Sequence, residues 1–365
     1  MSDTSAGAAG KPMDVFDLMA EGGHEQLVLC SDPESGYRGI IAIHDTTLGP
    51  ALGGTRLWEY ADERAAVLDA LRLSRGMTYK AAIAGLSIGG GKSVIWGYDR
   101  SASRESIFRA HGRAIESLGG RYITAEDVGT SPEDMRFVRM ETEHVTGLPG
   151  RSGDPSPVPA YGVFRGIKAC AAVAYGDDSL AGRHVAVQGL GHVGHSLCED
   201  LAGEGARLTV ADIDPARVSR VVEEFGATAV DVGAIYDVDA DVFAPCALGA
   251  VINDDTIRHL KVDIVAGAAN NQLARSQAHG LALHEKGILY APDYVINGGG
   301  LINVYGELKG WSSEQSKLKA GDIYSTLLHI FEFAKSEGVP TGVAADRVAE
   351  ERIREAKNPQ PAGKP

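Results

Sequence analysis

The sequence predicts an α/β protein of two domains, a mixed-sheet domain followed by a doubly wound one on a parallel sheet. Three observations carry this. The chain has 365 residues, more than one hydrophobic core usually supports. Residues 147–159, Gly-Leu-Pro-Gly-Arg-Ser-Gly-Asp-Pro-Ser-Pro-Val-Pro, are dense in proline and glycine and read as an interdomain linker. Beyond them strand-like and helix-like segments alternate, the pattern of parallel strands joined by helical crossovers.

The first domain is placed at residues 1–147, the linker at 148–159 and the second domain at 160–330. Helices from about 330 to 357 are expected to pack back on the first domain, and residues 1–12 and 358–365 to be disordered. In the first domain strands are expected at Leu27–Cys30, Gly39–His44, Ser93–Trp96 and Tyr122–Thr124. Apolar residues at three- and four-residue spacing predict helices at Asp62–Arg75 and Arg104–Ser117. In the second domain a helix at Val163–Tyr175 precedes the strand His184–Gln188, a glycine turn and a helix to about Gly203. A strand Arg207–Ala211, a helix Pro215–Phe225 and short strands at Asp241–Ala244, Asp263–Ala266 and Leu289–Ala291 follow, then helices at Gln315–Ser336 and Ala344–Lys357.

Composition excludes several classes. The chain is 44% hydrophobic and 23% charged, with a net charge of −14, which argues against nucleic acid or an anionic membrane as partner. No apolar run approaches the ~18 residues that cross a bilayer, and the first twenty residues lack a continuous apolar segment, so a cytoplasmic protein is expected. Cys30, Cys170, Cys198 and Cys246 lie far apart without a Cys-x-x-Cys pair. Free thiols are expected, with no zinc site or disulfide framework.

Two segments carry chemistry. Residues 76–93 set Lys80 and Lys92 among small and apolar residues. An ammonium in such surroundings loses hydration and must be paired or neutralised. The pattern calls for one fixed positive charge and one amine able to release its proton. Gly89-Gly-Gly-Lys-Ser93 is not a phosphate-binding P-loop, because Leu86 stands where that motif requires glycine. The second segment, Gly189-Leu190-Gly191-His192-Val193-Gly194, lies between a predicted strand and an apolar helix. There, glycines let the backbone approach a pyrophosphate seated on the helix N-terminus, the dinucleotide-binding arrangement of Rossmann-type domains. Asp212, eighteen residues past Gly194, can accept from adenosine ribose hydroxyls and would repel a 2′-phosphate, favouring NAD over NADP.

At these residues the chain resembles the amino acid dehydrogenases acting on glutamate, leucine, valine and phenylalanine, most closely the leucine branch. The resemblance rests on Gly49-Pro-Ala-Leu-Gly-Gly-Thr-Arg56, Arg75-Gly-Met-Thr-Tyr-Lys80, Gly89-Gly-Gly-Lys92 and Tyr122-Ile-Thr-Ala-Glu-Asp-Val-Gly129. It continues through the glycine turn, Ala244-Pro-Cys-Ala-Leu-Gly249, Gly267-Ala-Ala-Asn-Asn271 and Tyr290-Ala-Pro-Asp-Tyr-Val-Ile-Asn297.

The resemblance implies a substrate-binding first domain, an NAD-binding second domain and a reaction in the cleft between them. Lys80 corresponds to the carboxylate-binding lysine and Lys92 to the catalytic lysine, a general base whose pKa burial and the Lys80 charge lower. Asp127 passes protons to and from the amine; outside the family a helix or turn cap is its ordinary role. Ala247, Asn270 and Asn271 fall on the cofactor side, Asn270 foremost. Leu52, Gly53, Met77, Ala125, Leu301 and Val304 form an apolar recognition pocket. Leu52 stands where glutamate enzymes present a lysine, so an unpaired substrate carboxylate is disfavoured. The implied activity is reversible oxidative deamination of a branched-chain L-amino acid by a homo-oligomer, octamer or dimer. Valine or phenylalanine preference, or amino acid and NAD binding without turnover, are the alternatives. Four positions depart from the family pattern: Pro159 replaces a threonine, Gly298 an alanine, and Tyr305-Gly306 the usual Ala-Asp.

Overall fold

The computed structural model describes residues 14–97, 103–148 and 157–358. The segments expected to be disordered, except Asn358, and linker residues 149–156 lie outside the described residues. The chain folds into two compact units, one of Met1–Thr78 with Gly89–Val145, the other of Tyr79–Ile88 with Thr146–Pro365.

The first unit holds a mixed sheet, as expected. Its strands are β1 (Gln26–Asp32), β2 (Tyr37–Asp45), β3 (Ala51–Leu52), β4 (Thr55–Trp58), β5 (Gly89–Trp96) and β6 (Tyr122–Ile123). They run in the order β1-β2-β5-β3-β6, with β4 also paired to β5. β2 is antiparallel to β1 and β5, whereas β3 and β4 are parallel to β5. The helix Glu63–Ile83 sets Ala66, Val67, Ala70 and Leu71 on one face, against Ile40, Ala42 and Val94 of the sheet. The sequence reading ends this helix at Arg75 and misses β3 and β4. Gly76 costs an exposed helix only about 1 kcal/mol, and Thr78 ties the next turn down, exchanging a hydrogen bond of 2.8 Å with His44.

A wholly buried polar hub lies in this unit. The His111 Nδ1 meets the Tyr37 hydroxyl at 2.8 Å, and its Nε2 meets Thr55 Oγ1 at 2.9 Å and Ser93 Oγ at 3.2 Å. Tyr122 donates to Ser93 Oγ at 3.0 Å. The hub binds β2, β4, β5 and β6 through side chains where ladders between short strands are sparse.

The second unit carries β7 (His184–Gln188), β8 (Arg207–Ala211), β9 (Thr228–Ala229), β10 (Val242–Pro245), β11 (Ile264–Val265) and β12 (Leu289–Tyr290). Their order is β12-β11-β10-β7-β8-β9, and each pair is parallel. The chain winds one way from β7 and then reverses to β10, so the switch point falls between those strands, where open α/β sheets bind ligands.

One expectation about the helices is corrected. The region Gln315–Ser336 is two helices, Ser313–Gly321 and Ile323–Glu337, parted at Asp322. The C-terminal helices group in one compact unit with Tyr79–Ile88, a stretch that the sequence reading placed in the first domain. Gly162 and Gly166 on the helix Pro157–Tyr175 leave room for Ile323 and Leu327 of the helix Ile323–Glu337. Arg352 of the last helix, Thr341–Lys357, donates to the Ala82 carbonyl at 3.0 Å. Ala82 lies in the short stretch Tyr79–Ile88, which itself belongs to the second unit. Pro157–Pro159, expected in the linker, form the first turn of the helix Pro157–Tyr175. Pro159 is tolerated there because first-turn N–H groups have no intrahelical acceptor. Among the described residues no helix is long and apolar enough to cross a membrane.

Candidate active site

Lys92 lies in β5, opposite Ala42 of β2, and is only 6% exposed. The glycines before it are dictated by neighbours. A Cβ on Gly90 would stand 2.1 Å from Thr78 N on the helix Glu63–Ile83, and one on Gly91 2.6 Å from the Tyr122 ring. Gly53, between β3 and β4, is equally constrained, because its Cβ would lie 1.7 Å from the Gly91 carbonyl oxygen. The glycine run is thus a close-packing device that seats the lysine at the centre of the sheet.

Asp127 reaches the same place from the loop after β6. Lys92 Nζ donates to its Oδ2 at 2.8 Å, and Arg56 Nε donates to that same oxygen at 3.1 Å. The loop is held by Thr130, whose hydroxyl accepts from the Asp127 backbone N–H at 2.8 Å. The carboxylate itself caps no helix: Ser131 caps the helix Pro132–Arg139, with Asp134 completing the capping box.

Burial lowers the Lys92 pKa below the ordinary lysine value; the Asp127 carboxylate opposes this and the Arg56 charge adds to it. Burial pushes Asp127 up, but Lys92 and Arg56 together outweigh it and leave this acid below its usual range. At neutral pH, then, a carboxylate faces an amine whose proton is held less tightly than in water. The sequence reading assigned the cationic contribution to Lys80; Arg56 supplies one through the shared oxygen.

Arg56 is the charged neighbour of the Lys92–Asp127 pair that the sequence reading assigned no role. Its Nη1 donates to Asp69 Oδ2 at 2.8 Å, and Tyr60 donates to that oxygen at 2.6 Å. An open cavity of about 580 Å³ adjoins this chain of charges, lined by Arg56, Trp58, Tyr60, Leu68, Asp69 and Arg72 among others. Lys92 does not line it. The available signal was Arg56 itself, a charged residue ending the Leu-Gly-Gly-Thr-Arg run.

The remaining substrate candidates are dispersed. Leu52, Gly53, Met77 and Ala125 belong to the first unit; Lys80, Leu301 and Val304 belong to the second. Leu52 pairs with Ile123 across the sheet and is 1% exposed, a wall residue with no open face. Leu301 is also buried, while Met77, Ala125 and Val304 are half-buried. Lys80 occupies the last turn of the helix Glu63–Ile83, three residues after Met77.

In the second unit the turn after β7 takes the expected form. Gly189 has φ +96°, and its Cβ would lie 2.6 Å from that of Ala247, which follows β10 at the switch point. A Cβ on Gly194 would lie 2.0 Å from the Gly189 carbonyl oxygen. Gly191, at the N-terminus of the helix His192–Gly203, has φ −65° and open space where a Cβ would stand. The chain's own packing therefore requires Gly189 and Gly194, whereas bare backbone at Gly191 fits the close approach of a pyrophosphate. Leu190 is buried, Val193 is half-buried and His192 is exposed. Asp212 accepts from the Leu190 and Asp214 backbone N–H groups at 2.6 and 2.8 Å. Its carboxylate oxygens keep lone pairs for ribose hydroxyls. Arg217 stands 3.9 Å from Asp212 and 3.4 Å from Asp214. Asn270 and Asn271 are exposed; Asn271 adopts φ +50°, and Asn270 Oδ1 accepts from Asn297 at 2.8 Å. Among the described residues no group of three His, Cys, Asp or Glu could hold a metal ion.

Comparison with known proteins places the chain in a family. A family profile described as Glu/Leu/Phe/Val dehydrogenase, dimerisation domain, matches residues 24–144, and one described as Glutamate/Leucine/Phenylalanine/Valine dehydrogenase matches residues 210–360. The chain is 58% identical over 344 residues to leucine dehydrogenase of Thermoactinomyces intermedius, covering 93% of this chain and 94% of that one. It is 57% identical to leucine dehydrogenase of Bacillus subtilis, with the same coverage. The crystal structure of L-tryptophan dehydrogenase from Nostoc punctiforme superposes with a TM-score of 0.87 at 49% identity, covering 94% and 99% of the two chains.

Proposed function

The chain belongs to the Glu/Leu/Phe/Val dehydrogenase family and is an amino acid dehydrogenase; from that premise we propose NAD-dependent, reversible oxidative deamination of a branched-chain L-amino acid, leucine foremost, to the 2-oxo acid and ammonia. The observation that carries the chemistry is the buried Lys92 amine, 2.8 Å from the Asp127 carboxylate.

Bound NAD supplies the hydride acceptor. The protein has the rest to do. Lys80 pairs with the substrate α-carboxylate and fixes the α-C–H. Loss of the hydride leaves an iminium carbon, and Lys92 takes a proton from the water whose oxygen bonds to that carbon. Asp127 then accepts and returns protons at nitrogen as ammonia departs. In the second unit Gly189, Leu190, Gly191, His192, Val193 and Gly194 hold the pyrophosphate and Asp212 the ribose. Ala247, Asn270 and Asn271 serve the nicotinamide end. Asp212, which would repel a 2′-phosphate, supports NAD over NADP. Because residues 24–144 match a dimerisation domain, we place the working unit in a homo-oligomer, whose size light scattering reads.

The test of substrate and cofactor is an initial-rate screen of twenty amino acids with NAD and NADP separately. Leucine, isoleucine and valine should reduce NAD with kcat/KM values within about 200-fold of one another, the span one methylene gives in an apolar pocket. Glutamate should stay at background. A preferred aromatic substrate, or no reduction at all, overturns the reading.

Cofactor binding has its own test. Gly191→Val should fold normally, since its Cβ meets open space, yet raise the NAD dissociation constant at least about tenfold through lost pyrophosphate contact. Titration of tryptophan fluorescence with NAD measures it; unchanged affinity removes Gly191 from the site.

A further inference from the structure

We propose that Arg56 and Asp69 are positioning residues forming a charge relay behind the Lys92–Asp127 pair, Arg56 orienting the Asp127 carboxylate and opposing a proton on Lys92, Asp69 favouring one. The inference rests on Lys92 acting as the general base.

Its basis is a continuous chain of short contacts. Asp127 Oδ2 receives both Lys92 Nζ and Arg56 Nε, at 2.8 and 3.1 Å, so two cations compete for one anionic oxygen. Arg56 is held in that competition from behind by Asp69, at 2.8 Å. Asp69 is fixed in turn by the Tyr60 hydroxyl at 2.6 Å and Arg72 Nη2 at 2.9 Å. Each member is locked by the next, and the planar guanidinium bridges two carboxylates as a lysine ammonium could not. Arg56 comes from β4 and Asp69 from the helix Glu63–Ile83, both packed beside β5. Other titratable or charged groups of the first unit on elements packed with β5 are Tyr37, Arg38, His44 and Asp45 on β2, Arg75 on the helix Glu63–Ile83, His111, which meets Ser93 at 3.2 Å, and Tyr122 on β6. The electrostatic influences on Lys92 come from Asp127, then Arg56, then Asp69, with Arg56 opposite in sign to the two acids.

A structural brace and a charge relay predict different outcomes. A brace, once cut, lowers activity and stability together. The relay moves the pH profile, and its two members move it in opposite directions. The experiment is kcat/KM for leucine with NAD against pH, for the wild type, Arg56→Gln, Arg56→Lys, Asp69→Asn and Lys92→Ala. Titration of the substrate's own ammonium is common to all, so each limb is read relative to wild type. In Arg56→Gln the activity limb should rise at a pH about one unit higher. In Asp69→Asn it should rise at lower pH, and in Arg56→Lys, whose ammonium keeps the charge but cannot bridge both carboxylates, it should move up by less than in Arg56→Gln. If Arg56→Gln fails to fold, the downward move in Asp69→Asn decides alone. Limbs that stay put, or move the same way in Arg56→Gln and Asp69→Asn, overturn the relay. An active Lys92→Ala enzyme instead overturns the general-base reading beneath it.

Discussion

Replacing Lys92 with alanine lowers kcat for leucine deamination about 10³-fold, the scale of a lost general base. Water can still attack an iminium, but the group left to take its proton is the Asp127 carboxylate, held by Arg56 and a far weaker base than the amine. The substitution does not leave a naked buried charge, because Asp127 keeps Arg56 at 3.1 Å. The fold should therefore survive, and NAD affinity with it, since the glycine turn and Asp212 lie in the other unit. Steady-state rates, a thermal melt and an NAD titration on one preparation separate these quantities. Activity within tenfold of wild type removes Lys92 from the base role. Unchanged NAD binding beside abolished turnover excludes a protein that only senses its ligands.

The second large effect is loss of stability in mild acid. Burial drives the His111 pKa down to about 3 and that of His44 down to about 4. Burial also lowers His24, which stacks edge-on against His44. In each case the folded state holds the neutral ring, so above the unfolded value of about 6.5 the two states bind equal protons and stability is flat. Below it the unfolded chain takes up protons that the folded chain refuses. Stability then falls by up to about 1.4 kcal/mol per pH unit for each ring. By pH 4.5 His111 and His44 together cost about 5 kcal/mol, comparable to the whole stability of many proteins. The depressed carboxylates Asp69 and Asp127 act only below about pH 4, as their own protonation begins. Urea midpoints between pH 7.5 and 4.5 isolate the histidines. In His111→Gln the baseline should drop and the slope lessen by about one proton; an unchanged slope shows that His111 is not the titrating group.

Legibility in the sequence varied with the range of the interactions that form each feature. The strand, glycine turn and helix at 184–203 are local, and their periodicity and punctuation coincide with the structure. Lys92 stands out as a charge inside an apolar run, and its partner Asp127 through the family pattern. β3 and β4 are illegible because they hold two and four residues, split by Gly53-Gly54, and exist only through pairing to β5 and β6. Arg56 and Asp69 are thirteen positions apart on a strand and a helix, so no spacing rule joins them. Leu52 illustrates a different limit: its apolar character was readable, but only packing shows that it is sealed into the sheet. The boundary within the helix Glu63–Ile83, after Thr78, was not readable either, because an amphipathic pattern names a buried face without naming what covers it.

The crowding around β5 has a consequence for changing what this enzyme accepts. A methyl group added at Gly53, Gly89, Gly90 or Gly91 would fall within 2.6 Å of another atom, main-chain in three of the four cases. Such overlaps demand movement of the sheet that seats Lys92. Random libraries will return these codons unchanged, whatever substrate is used for selection. Met77, Ala125 and Val304, whose side chains retain some exposure, are free of that constraint.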